Sequence, residues 1–183
     1  MKNEQFYNWD CLEFTTATKL EEYIDEIKPL LVGKIAKQLI VRNEYYEGNS
    51  DFFARYDLTK ENENATIDLI YGPCILKVEN HTFCFDMYGG SHIFLSLDKK
   101  LEILDAEEMN YKDISVLFKK NIMGQKITCI RITRAYSDYD FADNWYVTKD
   151  ISDDMFKDLI IEFENGHSLN ISIIFDNTGI FES

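Results

Sequence analysis

The sequence lacks the motifs on which most enzyme families depend. It has three histidines and four cysteines in 183 residues, with no Gly-x-Ser-x-Gly elbow and no glycine-rich phosphate loop. Nucleophilic catalysis needs a serine or cysteine beside a histidine that an acid orients. His81 and His167 occupy predicted hairpin turns, and His92 begins a predicted strand. We therefore expect a protein that is not an enzyme, with no cofactor and no catalytic residues.

Positive charge is also scarce. The chain has 19 lysines and arginines against 33 aspartates and glutamates, a formal net charge of −14. Such a surface repels nucleic-acid phosphates and anionic membranes, and it attracts basic proteins. We expect a basic protein partner and neither nucleic acid nor membrane. The oligomeric state is left open.

Long apolar runs are missing. No stretch is long enough for a signal peptide or a membrane span, so the expected location is the cytoplasm. The cysteines, Cys11, Cys74, Cys84 and Cys129, form no Cys-x-x-Cys pair. In a reducing compartment they are expected to be buried thiols.

Two similar segments recur along the chain. The segment 159–171, with its turn Glu-Asn-Gly-His, resembles 74–85, with Glu-Asn-His, if one residue is deleted at the turn. Upstream, Leu-Val-Gly-Lys-Ile at 31–35 resembles Ile-Met-Gly-Gln-Lys-Ile at 122–127. Two ordered matches at similar separation predict an internal duplication.

Turn chemistry predicts a hairpin in each copy. A three-residue loop at 164–166 places Phe163, Ile161 and Leu159 opposite His167, Leu169 and Ile171. In the first copy, a two-residue turn at Asn80-His81 would pair Val78 with Phe83, Leu76 with Phe85 and Cys74 with Met87. Alternate residues are then apolar, as a sheet with one buried face requires.

The predicted fold class is α+β, with two tandem repeats of a helix followed by an antiparallel meander, packed into one compact body. The first repeat would span 1–104 and the second 105–183. A helix is predicted from a capping box at Thr18-x-x-Glu21, with apolar residues at helical spacing as far as Leu31, and Pro29 should end or kink it. Another helix is predicted from Asp105 or Asp113 to Asn121. A helical turn is predicted over 152–157. Strands are predicted at 35–42, 66–71, 74–79, 82–88, 92–97, 126–134, 145–148, 158–164, 167–175 and 180–182.

Each copy has an acidic, aromatic connection just after its first strand. The segments 43–68 and 138–158 each contain seven carboxylates and two basic residues. Aromatic rings among charges of one sign suit a protein-binding surface, where the rings anchor and the carboxylates steer a cationic partner. The predicted partner-binding residues are Glu44, Tyr45, Tyr46, Glu47, Asp138, Tyr139, Asp140, Asp143 and Trp145. Alternatively, the acids form a solvated face and the rings pack beneath it.

Metal sites are disfavoured, and none is predicted. Asp138, Asp140 and Asp143 have the oxygen ligands that calcium prefers, but the segment lacks the glycine and distal glutamate of an EF-hand loop. Zinc at Cys74, His81 and Cys84 would lack a fourth ligand, and the two cysteines should point to opposite faces of their hairpin.

The hairpin at 159–169, the strand entries at 33–35 and 124–127, and the negative charge together resemble the small acidic immunity proteins of bacterial toxin systems, such as polymorphic and contact-dependent ones. The resemblance implies a stoichiometric protein inhibitor whose partner is a toxin, often cationic because it degrades nucleic acid. We therefore predict a non-catalytic inhibitor that neutralises a basic, nuclease-like toxin. The alternatives are a small-ligand or metal-binding module and a structural subunit of a homo-oligomer.

Overall fold

The structure, a computed structural model, describes residues 7–44, 66–70, 73–88, 92–98, 101–103, 109–135, 154–174 and 177–183. Within these ranges the chain has one α-helix, one short 3-10 helix and thirteen β-strands, and all strand pairs are antiparallel. The predicted α+β class is confirmed.

Helix α1 spans Ala17–Leu31. Its N-cap is Thr16, whose Oγ1 accepts a hydrogen bond from the Lys19 N–H, so the predicted capping box at Thr18 was placed two residues too late. Pro29 lies inside the last turn and does not end the helix there. Apolar residues at helical spacing face the core, and these are Ala17, Leu20, Ile24, Ile27 and Leu31.

A six-stranded sheet has the order β2-β7-β6-β5-β3-β9. Its strands are β2 (Leu12–Phe14), β3 (Ala36–Glu44), β5 (Cys74–Val78), β6 (His81–Tyr88), β7 (His92–Leu97) and β9 (Met109–Asp113). A small sheet pairs β1 (Tyr7–Trp9) with β8 (Leu101–Ile103).

A five-stranded sheet has the order β10-β11-β12-β13-β4. Its strands are β4 (Thr66–Ile70), β10 (Ile127–Ala135), β11 (Met155–Phe163), β12 (Ser168–Ile174) and β13 (Asn177–Glu182). Each large sheet therefore contains one strand from the other side of residue 104, since β4 joins the second sheet and β9 the first.

Both large sheets contribute to one continuous hydrophobic cluster. The rings of Phe85 on β6 and Phe156 on β11 lie 6.3 Å apart between centroids. α1 packs against β10, and the Ser115–Phe118 3-10 helix packs against β3. The helical segment that precedes each long strand thus lies against the long strand of the other sheet.

The two sheets have matching registers. Ala36 opposes Val78 and, after a bulge, Leu39 opposes Leu76; Ile127 opposes Phe163 and, after a bulge at the same place, Ile130 opposes Ile161. Each of these β10 residues therefore corresponds to the β3 residue 91 positions earlier. Each of these β11 residues corresponds to the β5 residue 85 positions earlier.

The strand entries meet at a reciprocal crossing. The Gly33 N–H donates to Ile127 O and the Gly124 N–H donates to Ala36 O, both at 2.8 Å. An isolated antiparallel bridge between Ile35 and Lys126 lies between these two hydrogen bonds. Gly33 and Gly124 have φ values of +83° and +86°, a region that glycine enters without strain.

The C-terminal hairpin has its predicted register, because Leu159 opposes Ile171, Ile161 opposes Leu169, and the Phe163 N–H donates to His167 O. The first hairpin was predicted with the wrong register. Its turn is Glu79-Asn80, with Glu79 at φ +48°, so Val78 pairs with His81, Leu76 with Phe83 and Cys74 with Phe85. The apolar alternation is unchanged because the displacement is an even number of residues.

Two helical predictions were wrong. Residues 109–113 form β9, and in the described range 109–121 only Ser115–Phe118 is helical, as a 3-10 turn. Residues 155–157, predicted as a helical turn, begin β11. The inward side chains of the second helix were nevertheless correct, because Ile114, Leu117, Phe118 and Ile122 are all buried. The strand predicted at 145–148 lies outside the described residues.

Candidate functional site

One predicted partner-binding residue falls within the described chain. Glu44 is the last residue of β3 and opposes Met109 of β9. The other predicted residues, Tyr45, Tyr46, Glu47, Asp138, Tyr139, Asp140, Asp143 and Trp145, lie outside the described residues.

The connection 136–153 joins the chain at a polar cluster beside the first turn of α1. Asp154 Oδ1 accepts hydrogen bonds from the Thr18 N–H and the Thr18 hydroxyl, both at 2.9 Å, and from the Arg134 guanidinium. The Ala17 N–H also donates to Asp154 O at 2.9 Å. Arg134 reaches Glu21 with its other terminal nitrogen. Both ends of this acidic connection are therefore fixed at the N-terminus of α1.

The charges in this cluster support one another. Loss of hydration works against ionisation of Asp154, but hydrogen bonds from Thr18 and the charge of Arg134 outweigh it and lower the pKa of Asp154. The hydrogen bond and charge of Glu21 raise the pKa of Arg134. Asp154 therefore stays ionised and continues to anchor the connection.

The solvent side of α1 is acidic. Glu21, Glu22, Asp25 and Glu26 are all exposed. Arg134 pairs with Glu21, whereas no lysine or arginine in the described part of the chain forms an ion pair with Glu22, Asp25 or Glu26. This surface was not predicted, although the helical spacing of the apolar residues already directs these four carboxylates away from the core.

The three histidines each contact a carboxylate. Nδ1 of His81 lies 2.6 Å from Asp98, that of His92 lies 2.5 Å from Glu13, and that of His167 lies 3.3 Å from Glu182. These pairs join hairpin ends or neighbouring strands, and the side chain of Glu182 is only 4% exposed. Such pairing holds the rings and the strand ends in place.

The buried thiols are poor nucleophiles. Burial raises the pKa of Cys11 to about 11 and that of Cys84 to about 12, and it raises the pKa of Cys74 further. Cys74 lies in the main core, while Cys84 lies with Cys11 in a separate cluster on the other face of the sheet. The predicted opposite orientation of Cys74 and Cys84 is confirmed, and it disfavours a shared zinc ion.

Cys11 and Cys84 are also badly placed for a disulfide. Leu12 opposes Leu95, so Cys11 comes next to Ser96, which itself opposes Cys84. Two strand spacings, roughly 10 Å, then separate the two Cα atoms, whereas a disulfide needs less than about 7 Å.

Among the described residues, no group of three or more histidine, cysteine, aspartate and glutamate side chains could hold a metal ion. None of the helical segments described here has both the length and the apolar character needed to cross a bilayer. No family model, curated protein or solved structure matches the chain.

Proposed function

We propose that this chain is a non-catalytic inhibitor that binds a basic protein in the cytoplasm and neutralises it, as an immunity protein neutralises a nuclease-like toxin. The observation that carries the proposal is the acidic surface of α1. Glu22, Asp25 and Glu26 are exposed and have no basic partner among the described residues. Carboxylates of this kind speed association with a cationic protein and restrict the choice of partner.

The attachment of the connection 136–153 extends this surface. Arg134 and Asp154, on either side of it, contact Thr18 and Glu21 of α1. Between them the sequence holds five carboxylates and one lysine, with Asp138, Asp140, Asp143 and the ring of Trp145 among them. In the proposal, α1 and this connection bind the same partner, and Glu44 to Glu47 contribute from the end of β3.

We also propose that the two sheets arose by tandem duplication of one unit. Four features support this: the matching registers with the same bulge, the positive φ of Gly33 and Gly124, the reciprocal crossing, and the paired turn contacts. In those contacts the Glu79 N–H donates to Ile35 O, and the Glu164 N–H donates to Lys126 O. The one-residue difference between the copies falls at the turn, as the sequence comparison predicts.

The proposal is tested by purifying the products of the neighbouring genes and titrating the chain with each of them. It requires that one of these products be basic and bind. The triple variant Glu22→Gln/Asp25→Asn/Glu26→Gln should slow association by about tenfold, with little change in dissociation. Raising the salt concentration should reduce the difference between variant and native chain.

The control is Glu79→Gln/Glu164→Gln, which removes two charges at the hairpin turns, against three in the triple variant, and keeps an acceptor oxygen at each site. Glu79 pairs with Lys34, three residues past the end of α1, and the Glu164 N–H donates to Lys126 O. Both control charges therefore belong to the hairpin turns and not to the solvent side of the helix. Equal slowing per charge removed in both variants would assign the effect to net charge alone and would contradict the proposal. Salt-independent binding would refute it.

A further inference from the structure

The outer edge of β10 has no strand partner among the described residues. β10 is the first strand of the five-stranded sheet and pairs only with β11 on its inner side. Because the Phe163 N–H donates to His167 O, residues 159, 161 and 163 direct their backbone groups toward β12. Residues 158, 160 and 162 therefore face β10, where they oppose Thr133, Arg131 and Cys129. It follows that Ile130 and Ile132 direct their N–H and C=O groups away from the sheet.

The matching edge of β3 is fully occupied. The Leu39 N–H donates to Ser115 Oγ at 2.8 Å, and Leu39 O accepts from the Ile114 N–H at 2.9 Å. Val41 pairs with Lys112 of β9. In the shared register Ile130 corresponds to Leu39 and Ile132 to Val41. At Ile130 and Ile132, however, no described residue supplies these hydrogen bonds.

Unpaired backbone groups on a nine-residue strand are a ready template for another strand. The segment before α1 cannot fill the place that β9 fills on β3, because it forms β2 and pairs with β7. Within the described ranges, no strand occupies this place on β10.

The charges around the outer edge of β10 indicate which kind of segment would bind there. The two arginines of β10 are already paired, Arg131 with Glu162 and Arg134 with Glu21 and Asp154. α1 packs on β10, and its Glu21 pairs with Arg134 of that strand. Asp25 lies one helical turn further along the same side of α1, where it is exposed and has no basic partner among the described residues. An incoming strand thus meets uncompensated negative charge, and lysine or arginine side chains complement it.

We propose that the outer edge of β10 is a docking strand, which pairs with an extended, lysine- or arginine-bearing segment of the basic partner through the backbone groups of Ile130 and Ile132. This inference rests on the proposed function and specifies how the partner binds.

Hydrogen exchange in the free native chain provides the first test. The amides of Ile130 and Ile132 should exchange about a hundredfold faster than those of Leu39 and Val41, whose hydrogen bonds are internal. Slow exchange at all four amides in a monomer would show that the chain covers its own edge, and it would overturn the proposal. Protection that appears only as the protein concentration rises would assign the edge to a second copy and would also overturn it.

The second test adds a synthetic nine-residue peptide in which lysine alternates with valine. Binding should protect the Ile130 and Ile132 amides at least tenfold, and a peptide with glutamate in place of lysine should not. N-methylation of the peptide along one edge removes its strand hydrogen bonds without changing its charge, and it should weaken binding by roughly tenfold. This control leaves the protein unaltered, so its result does not depend on the folding of a variant.

Ile132→Pro removes an outward N–H that makes no internal ladder bond, and Ile132→Val keeps it. Only the proline variant should lose peptide binding, with the thermal unfolding of both variants measured in parallel. If the triple variant of α1 slows association with the partner while the Ile130 and Ile132 amides stay unprotected in the complex, the docking strand is refuted and the proposed function stands.

Discussion

Replacing Gly33 by alanine tests the geometry of the crossing between the two sheets. Gly33 has φ +83°, and a Cβ atom built there has no heavy atom within 4 Å. No steric contact adds to the cost, so the whole penalty is that of holding alanine in the left-handed region, about 1 kcal/mol. Gly124, at φ +86° with similarly open surroundings, should give the same value.

Urea unfolding of Gly33→Ala and Gly124→Ala should therefore show nearly equal losses of about 1 kcal/mol in unfolding free energy, or about 2–4 °C in Tm. Asparagine tolerates this backbone region better than alanine, so Gly33→Asn should lose less. D-alanine, introduced at Gly33 by semisynthesis, fits a positive φ and should stabilise the chain by about 0.4–1 kcal/mol. A neutral alanine variant, or a loss above about 3 kcal/mol, would refute the assigned backbone conformation or the open space around it.

Three further predictions concern the core, the carboxylates and the thiols. Ile161→Ala removes a fully buried side chain and should cost about 2–5 kcal/mol in urea unfolding, whereas the exposed Leu30→Ala should cost far less. Burial works against ionisation of Asp98, but hydrogen bonds from His81 and the Thr82 N–H outweigh it and lower the pKa of Asp98. The stability that ionised Asp98 contributes should therefore disappear as pH falls below about 4, and Asp98→Asn should flatten that part of the pH-stability curve. Cys84, with its pKa near 12, should resist alkylation at pH 8 in the folded chain and react once urea unfolds it; reaction at equal rates would contradict its burial.

Sequence patterns predicted the hairpins and the long strands because alternation of apolar residues and turn-forming Asn-Gly are local signals. The strand His92–Leu97 was predicted with its observed bounds. The register of the first hairpin was predicted wrongly, because Glu79 adopts a positive φ that glutamate rarely adopts. Local signals also did not reveal that β4 and β9 each join the sheet of the other half, since strand exchange depends on contacts between distant residues.

The acidic character of the candidate surface was predictable from composition, but its location on α1 was not recognised. Arg134 and Asp154 were also missed, because their role depends on Thr18 and Glu21, more than a hundred residues earlier in the chain. Nothing in their sequence neighbours marks them as the two ends of one connection. The predicted residues within 136–153 remain a prediction.

The reciprocal crossing of Gly33 with Ile127 and of Gly124 with Ala36 also affects how the protein is made. These bonds join positions about ninety residues apart, so the ribosome must release most of the chain before they can close. Closing so large a loop is entropically costly, and native contacts at this separation slow folding. During synthesis the first sheet should therefore spend a period without its contacts to the second sheet. Chaperones have time to bind the chain in that period.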